Sequence, residues 1–301
     1  MPEGHSVHRL ARQFADCFVG QALSVSSPQG RFADGAAALD GAVLEAARAH
    51  GKQLFLDFAG DRVLRSHLGL YGAWSFGGTD RFRGASSIGA PRRIGEREAL
   101  DDGAPDDGAP SAGPPVPPPP VGAVRVRLVG DEGWADLRGP ALCVLETRAE
   151  AEAARARLGP DPLDPHADPA PFVAAARRSR RPVGALLMDQ AVVAGVGNIF
   201  RAESLFRRGL DPMTPGRALG EPVLLALWAE NAALMRTGVR LGRIVTTDPG
   251  DRPGTPAERA WPEHAHLVYK RQGLPCRRCG TPVAAGELEG RALYWCPSCQ
   301  R

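Results

Sequence analysis

The chain has 301 residues, with 37 Lys or Arg against 34 Asp or Glu and a net charge of +3; that length suits two domains of ordinary size. No apolar run reaches the roughly 18 residues that a membrane-spanning helix needs. The opening Met-Pro-Glu-Gly-His lacks the basic and apolar regions of a secretory signal, so a membrane or exported protein is not expected. Cys17 and Cys143 lie in apolar stretches, where buried thiols are expected, and this usage fits a reducing cytoplasm. The charge is uneven, +8 from residue 170 onward and −5 before it. Such asymmetry is expected when one part of a chain grips a polyanion, although a solvated charged face produces it too.

In chain order, Pro2 follows the initiator methionine. Removal of Met1 before so small a residue leaves a secondary amine, which can attack an aldehyde carbon and form an iminium without needing a proton. Glu3 can move protons around such a centre. A Pro-Glu start is common by chance, so it acquires meaning only beside other motifs. Val7–Phe18 carries a helical stripe of apolar residues. Short apolar runs follow at Ala22–Val25, Ala42–Ala46, Leu54–Phe58, Val63–Leu64 and Leu70–Phe76, then at Val124–Leu128 and Leu142–Leu145. With Gly-rich turns between them they predict an antiparallel sandwich or barrel. Lys52 sits in a turn entering one of these strands and is one of only two lysines, with Lys270; a lysine can donate and accept a proton where an arginine does not. Residues 101–122 hold eight prolines and four aspartates and read as an inserted loop without packed structure. The Gly- and Arg-rich 77–100 stretch beside it reads as a solvated loop.

Beyond a short linker near 139–148 the pattern turns helical: Ala149–Leu158, Pro169–Arg178, Val183–Val193, Ile199–Arg208 ending at Gly209, and Glu221–Met235 ending at Gly238. Residues 239–270 show no clear period. Between two helices, Ala194-Gly195-Val196-Gly197-Asn198 places Asn198 at an N-cap. Free N–H groups there would hold an anion such as a DNA phosphate, and an ordinary capped turn would look the same. Arg177, Arg178, Arg180 and Arg181 are near in sequence. Last come Cys276-x-x-Cys279 and Cys296-x-x-Cys299, spaced as in Cys₄ zinc ribbons. Thr281–Trp295 between them reads as a β-hairpin, with Glu289-Gly290-Arg291 as its turn. Four thiolates leave no open coordination position, so the expected Zn²⁺, one per chain, is structural. Arg291 at the tip of a rigid hairpin suits phosphate, which makes nucleic acid the first partner to consider.

Met1-Pro2-Glu3-Gly4, Gly51-Lys52, Ser66-His67-Leu68-Gly69-Leu70-Tyr71-Gly72, Met188-Asp189-Gln190 with Gly195-Val196-Gly197-Asn198, and the Cys₄ hairpin bearing Arg291 occur in that order. Together they resemble the formamidopyrimidine-DNA glycosylase and endonuclease VIII family, and the opening resembles its actinobacterial endonuclease VIII branch. The resemblance spans the chain apart from the Pro-rich insert. It implies an α+β multidomain protein. Residues 1–140 are expected to form a catalytic antiparallel β-sandwich with an N-terminal helix, 148–240 a helix-two-turn-helix domain, and 265–301 a zinc-finger hairpin. The implied activity is a DNA glycosylase/AP lyase of base excision repair that removes oxidised pyrimidines and cuts by β,δ-elimination. Oxidised-purine excision, or DNA-damage binding without catalysis, are the alternatives. Pro2 would attack C1′, Glu3 would move protons, Lys52 would contact phosphate and assist elimination, and Asn198 and Arg291 would clamp phosphates. Leu70 and Tyr71, with Arg138, would fill the gap left by the everted base. The implied partner is damaged double-stranded DNA, with single-stranded DNA a second candidate, no membrane, and a monomeric state in the bacterial cytoplasm at the nucleoid. Gly69 departs from the longer polar wedge of familiar endonuclease VIII loops.

Overall fold

The computed structural model describes residues 2–89 and 116–301. The expected loops at 77–100 and 101–122 therefore lie, over 90–115, outside the described residues. The chain forms two compact units, one of Met1–Pro2 and Ser6–Ala156, the other of Glu3–His5 and Arg157–Arg301.

The first unit is a β-sandwich. One antiparallel sheet has the order β1 (Ser24–Ser26), β7 (Val124–Val129), β8 (Gly133–Arg138), β5 (Ala73–Gly78), β6 (Ser87–Gly89); the other runs β2 (Leu44–His50), β3 (Gln53–Phe58), β4 (Arg62–His67), β9 (Leu142–Glu146). Helix α1 (Gly4–Phe18) contributes Val7, Leu10, Phe14 and Phe18 to the shared core. Phe14 meets Trp74 edge-on, ring centroids 4.9 Å apart. Each such side chain contributes about 1.5–3 kcal/mol on burial. Alternation sorts β3: Leu54, Leu56 and Phe58 face this core, while Phe55 packs with Val63 and with Ala151 of α3 (Arg148–Arg155). Asp57 binds Arg48, which also reaches Glu152 of α3 at 2.8 Å. Cys17 and Cys143 are half-buried against the core, and burial pushes their thiols up to about 11 and about 12.

Several expectations shift. The run Leu70–Phe76 is not one strand: Leu70 and Tyr71 stand in a turn and β5 begins at Ala73. The stretch 139–148 is not a free linker, because β9 pairs with β4 from Val63↔Glu146 to His67↔Leu142. Helix α2 (Ala33–Leu39) is too short, and too interrupted by Gly35, to show a period. Strand β8 lacks an apolar signal because Asp136 breaks its pattern; that carboxylate makes two bonds, 2.7 and 2.8 Å, to its cross-strand partner Arg127.

The second unit is helical. It contains α4 (Ala170–Arg178), α5 (Val183–Leu186), α6 (Asn198–Arg207), α7 (Glu221–Leu241) and a hairpin of β10 (Ala284–Leu288) and β11 (Arg291–Trp295). Val183–Val193 is helical only to Leu186. Asp189 Oδ1 then accepts from Ala191 N, and Gln190 Nε2 donates to the Met188 carbonyl, so side chains take backbone groups that a helix would use. Helix α7 continues past Gly238 to Gly242, which takes the left-handed C-terminal position at φ 73°. Gly238 instead makes room: a Cβ there would lie 3.1 Å from the His5 ring. The aperiodic 239–270 stretch wraps fully buried Glu203, which accepts from the amides of Leu267, Val268 and Tyr269 at 2.7–2.8 Å. Thr246 Oγ1 donates to the same carboxylate.

Candidate active site and metal centre

Helix α6 begins without a side-chain cap of its own. Its N-cap is Gly197, and its first amides would be unsatisfied. Glu3, fully buried, supplies the acceptor: Oε2 takes Gly197 N at 2.9 Å and Phe200 N at 3.4 Å, and Oε1 takes Ile199 N at 2.8 Å. The positive end of the helix dipole faces this carboxylate. The amides expected to receive an external anion are thus taken by the chain's own third residue. Gly4 N donates to Gly195 O at 2.9 Å, and Gln190 braces the turn through Gly195 N and Val196 O, each at 3.0 Å. Gly197 is required here, because a Cβ would stand 2.4 Å from Glu3 Cδ. Gly197→Ala is expected to unseat Glu3, leave amides unpaired at about 1–3 kcal/mol each, and slow base excision at least tenfold. Melting temperature and single-turnover excision check this; wild-type values in both would contradict it.

Asn198 is not the N-cap but the first helical residue, and is buried. Its Nδ2 donates to the Ala292 carbonyl of β11 at 3.0 Å, and its Oδ1 accepts from Arg201 Nη2, which also donates to Ala292 O at 2.7 Å. Arg201 has no exposed surface and was not singled out from the sequence, where a helical arginine looks solvated. Burial, aided by the Arg291 charge, lowers its guanidinium to about 10 against the opposing pull of Glu3. Arg291 is exposed and is the first residue of β11, opposite Leu288. The turn is Glu289-Gly290 alone, at φ 48° and 73°, and β10 starts at Ala284, after Val283. Arg181, Met188, Asp189, Arg201, Glu289 and Arg291 line a cavity of about 210 Å³.

The four cysteine sulfurs lie within 4.8 Å of one another. Cys276 and Cys299 Sγ are 3.9 Å apart, Cys279 and Cys296 Sγ 3.5 Å. Metal–sulfur arms of about 2.3 Å give a tetrahedron with edges of about 3.8 Å, so the residues fit a four-sulfur metal site. Hydrogen bonds from Thr281 lower the Cys279 thiol to about 6, toward the thiolate a metal requires. No coordination position remains for substrate, so the metal's role is structural.

The remaining candidates are in the first unit. Pro2 is buried just ahead of α1. Lys52 is half-buried in the two-residue turn Gly51-Lys52 that joins His50 to its partner Gln53. Its charge, second to burial, holds His67 below its ordinary pKa. Leu70 and Tyr71 are 44% and 75% exposed at the tip of a turn closed by Gly72 N to Leu68 O at 2.9 Å. Gly69 has a local reason: φ is 66° and a Cβ would meet Ala141 Cβ at 2.8 Å. Arg138 ends β8 opposite Ala73, and its Nη2 donates to Ser75 Oγ, which holds it to the sheet. Glu3, Asn198 and the Arg291 hairpin therefore assemble around the start of α6, Leu70 and Tyr71 adjoin the Arg138 strand end through β5, and Lys52 stands at a separate hairpin.

Three family models match the chain: the formamidopyrimidine-DNA glycosylase N-terminal domain over residues 1–131, its H2TH domain over 158–249, and the zinc finger found in FPG and IleRS over 273–301. Endonuclease 8 1 of Mycobacterium tuberculosis is 44% identical over 301 residues, covering all of both chains. The formamidopyrimidine-DNA glycosylase of Nocardia farcinica is 31% identical over 323 residues, covering 100% of this chain and 97% of that one. Among solved structures, Lactococcus lactis Fpg in complex with DNA containing N7-benzyl-Fapy-dG matches with a TM-score of 0.72 at 20% identity, over all of both chains, a likeness of fold. A β-sandwich, a helical H2TH domain and a four-cysteine zinc-finger hairpin define a DNA glycosylase/AP lyase of base excision repair. The chain belongs to the formamidopyrimidine-DNA glycosylase/endonuclease 8 family. Among the described residues no helix is long and apolar enough to cross a membrane.

Proposed function

We propose that this enzyme excises oxidised pyrimidines from damaged DNA through a Schiff base on Pro2 and then cuts the strand by β,δ-elimination. The observation that carries the reading is the seating of Glu3, next in the chain to Pro2, as a fully buried carboxylate on the start of α6. A buried acid bonded to three amides holds a fixed position, as a proton-moving group must. With Met1 removed, the Pro2 nitrogen forms a bond to C1′ as the bond from C1′ to the base breaks and the base leaves with a proton. The C1′–O4′ bond then breaks, O4′ takes up a proton, and the C1′=N⁺ iminium that results is an electron sink. Loss of a C2′ proton, with Glu3 as the mover, then expels the 3′ phosphate, and a second elimination expels the 5′ phosphate. Lys52 contacts phosphate and assists the first elimination. Arg291 contacts a phosphate flanking the lesion and assists the second. Asn198 joins this clamp chiefly by holding the Ala292 carbonyl of the hairpin. Leu70 and Tyr71, large apolar side chains left exposed on a tight turn, fill the stack vacated by the everted base, with Arg138 beside them. The metal of the Cys₄ site is Zn²⁺, bound by Cys276, Cys279, Cys296 and Cys299, and the enzyme acts as a monomer on duplex DNA.

Full-length similarity to an endonuclease 8 favours pyrimidine lesions. The oxidised-purine reading keeps support from the 31% identity to a formamidopyrimidine-DNA glycosylase, also over the whole chain. Borohydride trapping on a duplex with one abasic site, followed by mass mapping, tests the chemistry. An adduct on Pro2 is expected; confirmed DNA binding by correctly processed protein without an adduct would favour a binding protein instead. Excision from matched duplexes bearing one oxidised pyrimidine or one 8-oxoguanine then separates the two lesion classes.

A further inference from the structure

A two-residue hairpin turn with left-handed φ at both positions favours Asn-Gly, Asp-Gly or Gly-Gly. Here the first position is Glu289, at φ 48°, in the left-handed region that side chains beyond glycine disfavour. Its carboxylate accepts from Arg181 Nε at 3.2 Å and Nη2 at 2.8 Å, while Arg181 Nη1 donates to Asp189 at 2.7 Å. Arg181 precedes α5 and Asp189 follows it, so a single guanidinium fastens the hairpin tip to both ends of that short helix. A second fastening lies three residues on, where the Ala292 carbonyl accepts from Asn198 and Arg201. The two attachments bracket Arg291.

We propose that Glu289 is a positioning residue that acts through Arg181 to hold Arg291 in its working place over the start of α6. The inference rests on the reading of Arg291 as a phosphate contact that assists elimination. An isolated exposed ion pair is worth little, but this one is two-pronged, shared with a second acid, and joined to a turn residue whose backbone is otherwise disfavoured. Charge alone makes the contrary forecast: removing an acid beside a DNA-binding arginine should tighten binding and leave turnover intact or improved.

Glu289→Asn separates the two, because Asn-Gly is the better turn while asparagine is too short and uncharged to hold Arg181. Strand cutting at a single abasic site is measured with enzyme in the wild-type, Glu289→Asn, Arg291→Ala and doubly substituted forms. The expected result is a five- to tenfold loss of kcat in Glu289→Asn, with KM and DNA affinity within twofold of wild type or tighter. In the Arg291→Ala background the same substitution should cause no further loss. Unchanged or faster turnover in the single variant would overturn the proposal, as would an equal further loss in the double variant. Wild-type cutting and Pro2 trapping, run alongside, tell the failures apart. A trapped, cutting wild type with a silent Glu289→Asn removes the positioning role alone; a wild type that neither traps nor cuts removes both readings.

Discussion

Glu3→Gln should abolish base excision, with a loss of about 100-fold or more, the range set by a positioned proton-moving group. The structure adds a second effect. Both carboxylate oxygens accept amides of the turn and α6. Glutamine offers one acceptor oxygen, and its NH₂ would face a donor. At least one buried amide would lose its partner, at about 1–3 kcal/mol, so a fall in melting temperature should accompany the lost activity. Binding to a duplex with an abasic-site analogue should persist, because the groups proposed to contact phosphate are untouched. Single-turnover excision, calorimetry and fluorescence anisotropy measure the three quantities. Excision within threefold of wild type would remove Glu3 from the proton transfers and leave it a helix cap.

Metal removal should have the second large effect. Leu288, Leu293 and Trp295 pack only in a small cluster with Ala185, and of the strand residues Tyr294 alone packs on the helical core, edge-on to Tyr269. So few contacts cannot hold two strands by themselves, whereas a four-thiolate metal contributes about 10–16 kcal/mol in small zinc modules. Without it the hairpin should open, the Ala292 carbonyl should leave Asn198 and Arg201, and Arg291 should lose its place. DNA affinity is expected to fall at least 100-fold, while the β-sandwich, whose core includes none of the four cysteines, keeps its fold. Metal analysis after chelation, with anisotropy and circular dichroism on the same sample, reads each part. Full affinity in protein verified as metal-free would refute this role for the hairpin.

The sandwich was legible because alternation and turns are local signals, and the metal centre because cysteine spacing is one too. The motifs in order made the family legible. Long-range satisfaction was not. Nothing near Gly197 announces that its amides are taken by a glutamate 194 positions earlier, so the turn read as a vacant anion site. Asn198 read as a cap because the Ala292 carbonyl that engages it is 94 positions away. Nothing local in the sequence sets Arg201 and Glu203 apart from helix-surface charges, and only packing shows that both are buried. Gly238 looked like a stop signal, and its reason for being glycine is the ring of His5. In each case a local rule was sound, and a partner distant in sequence decided the outcome.

The seating of Glu3 also bears on biosynthesis. The third residue emerges from the ribosome almost first, yet the amides that hold it belong to Gly197, Ile199 and Phe200. During translation the N-terminal segment therefore waits, with its acidic group unplaced, until about two-thirds of the polypeptide has been made. A chain broken off before that point has its third residue but none of the amides that seat it.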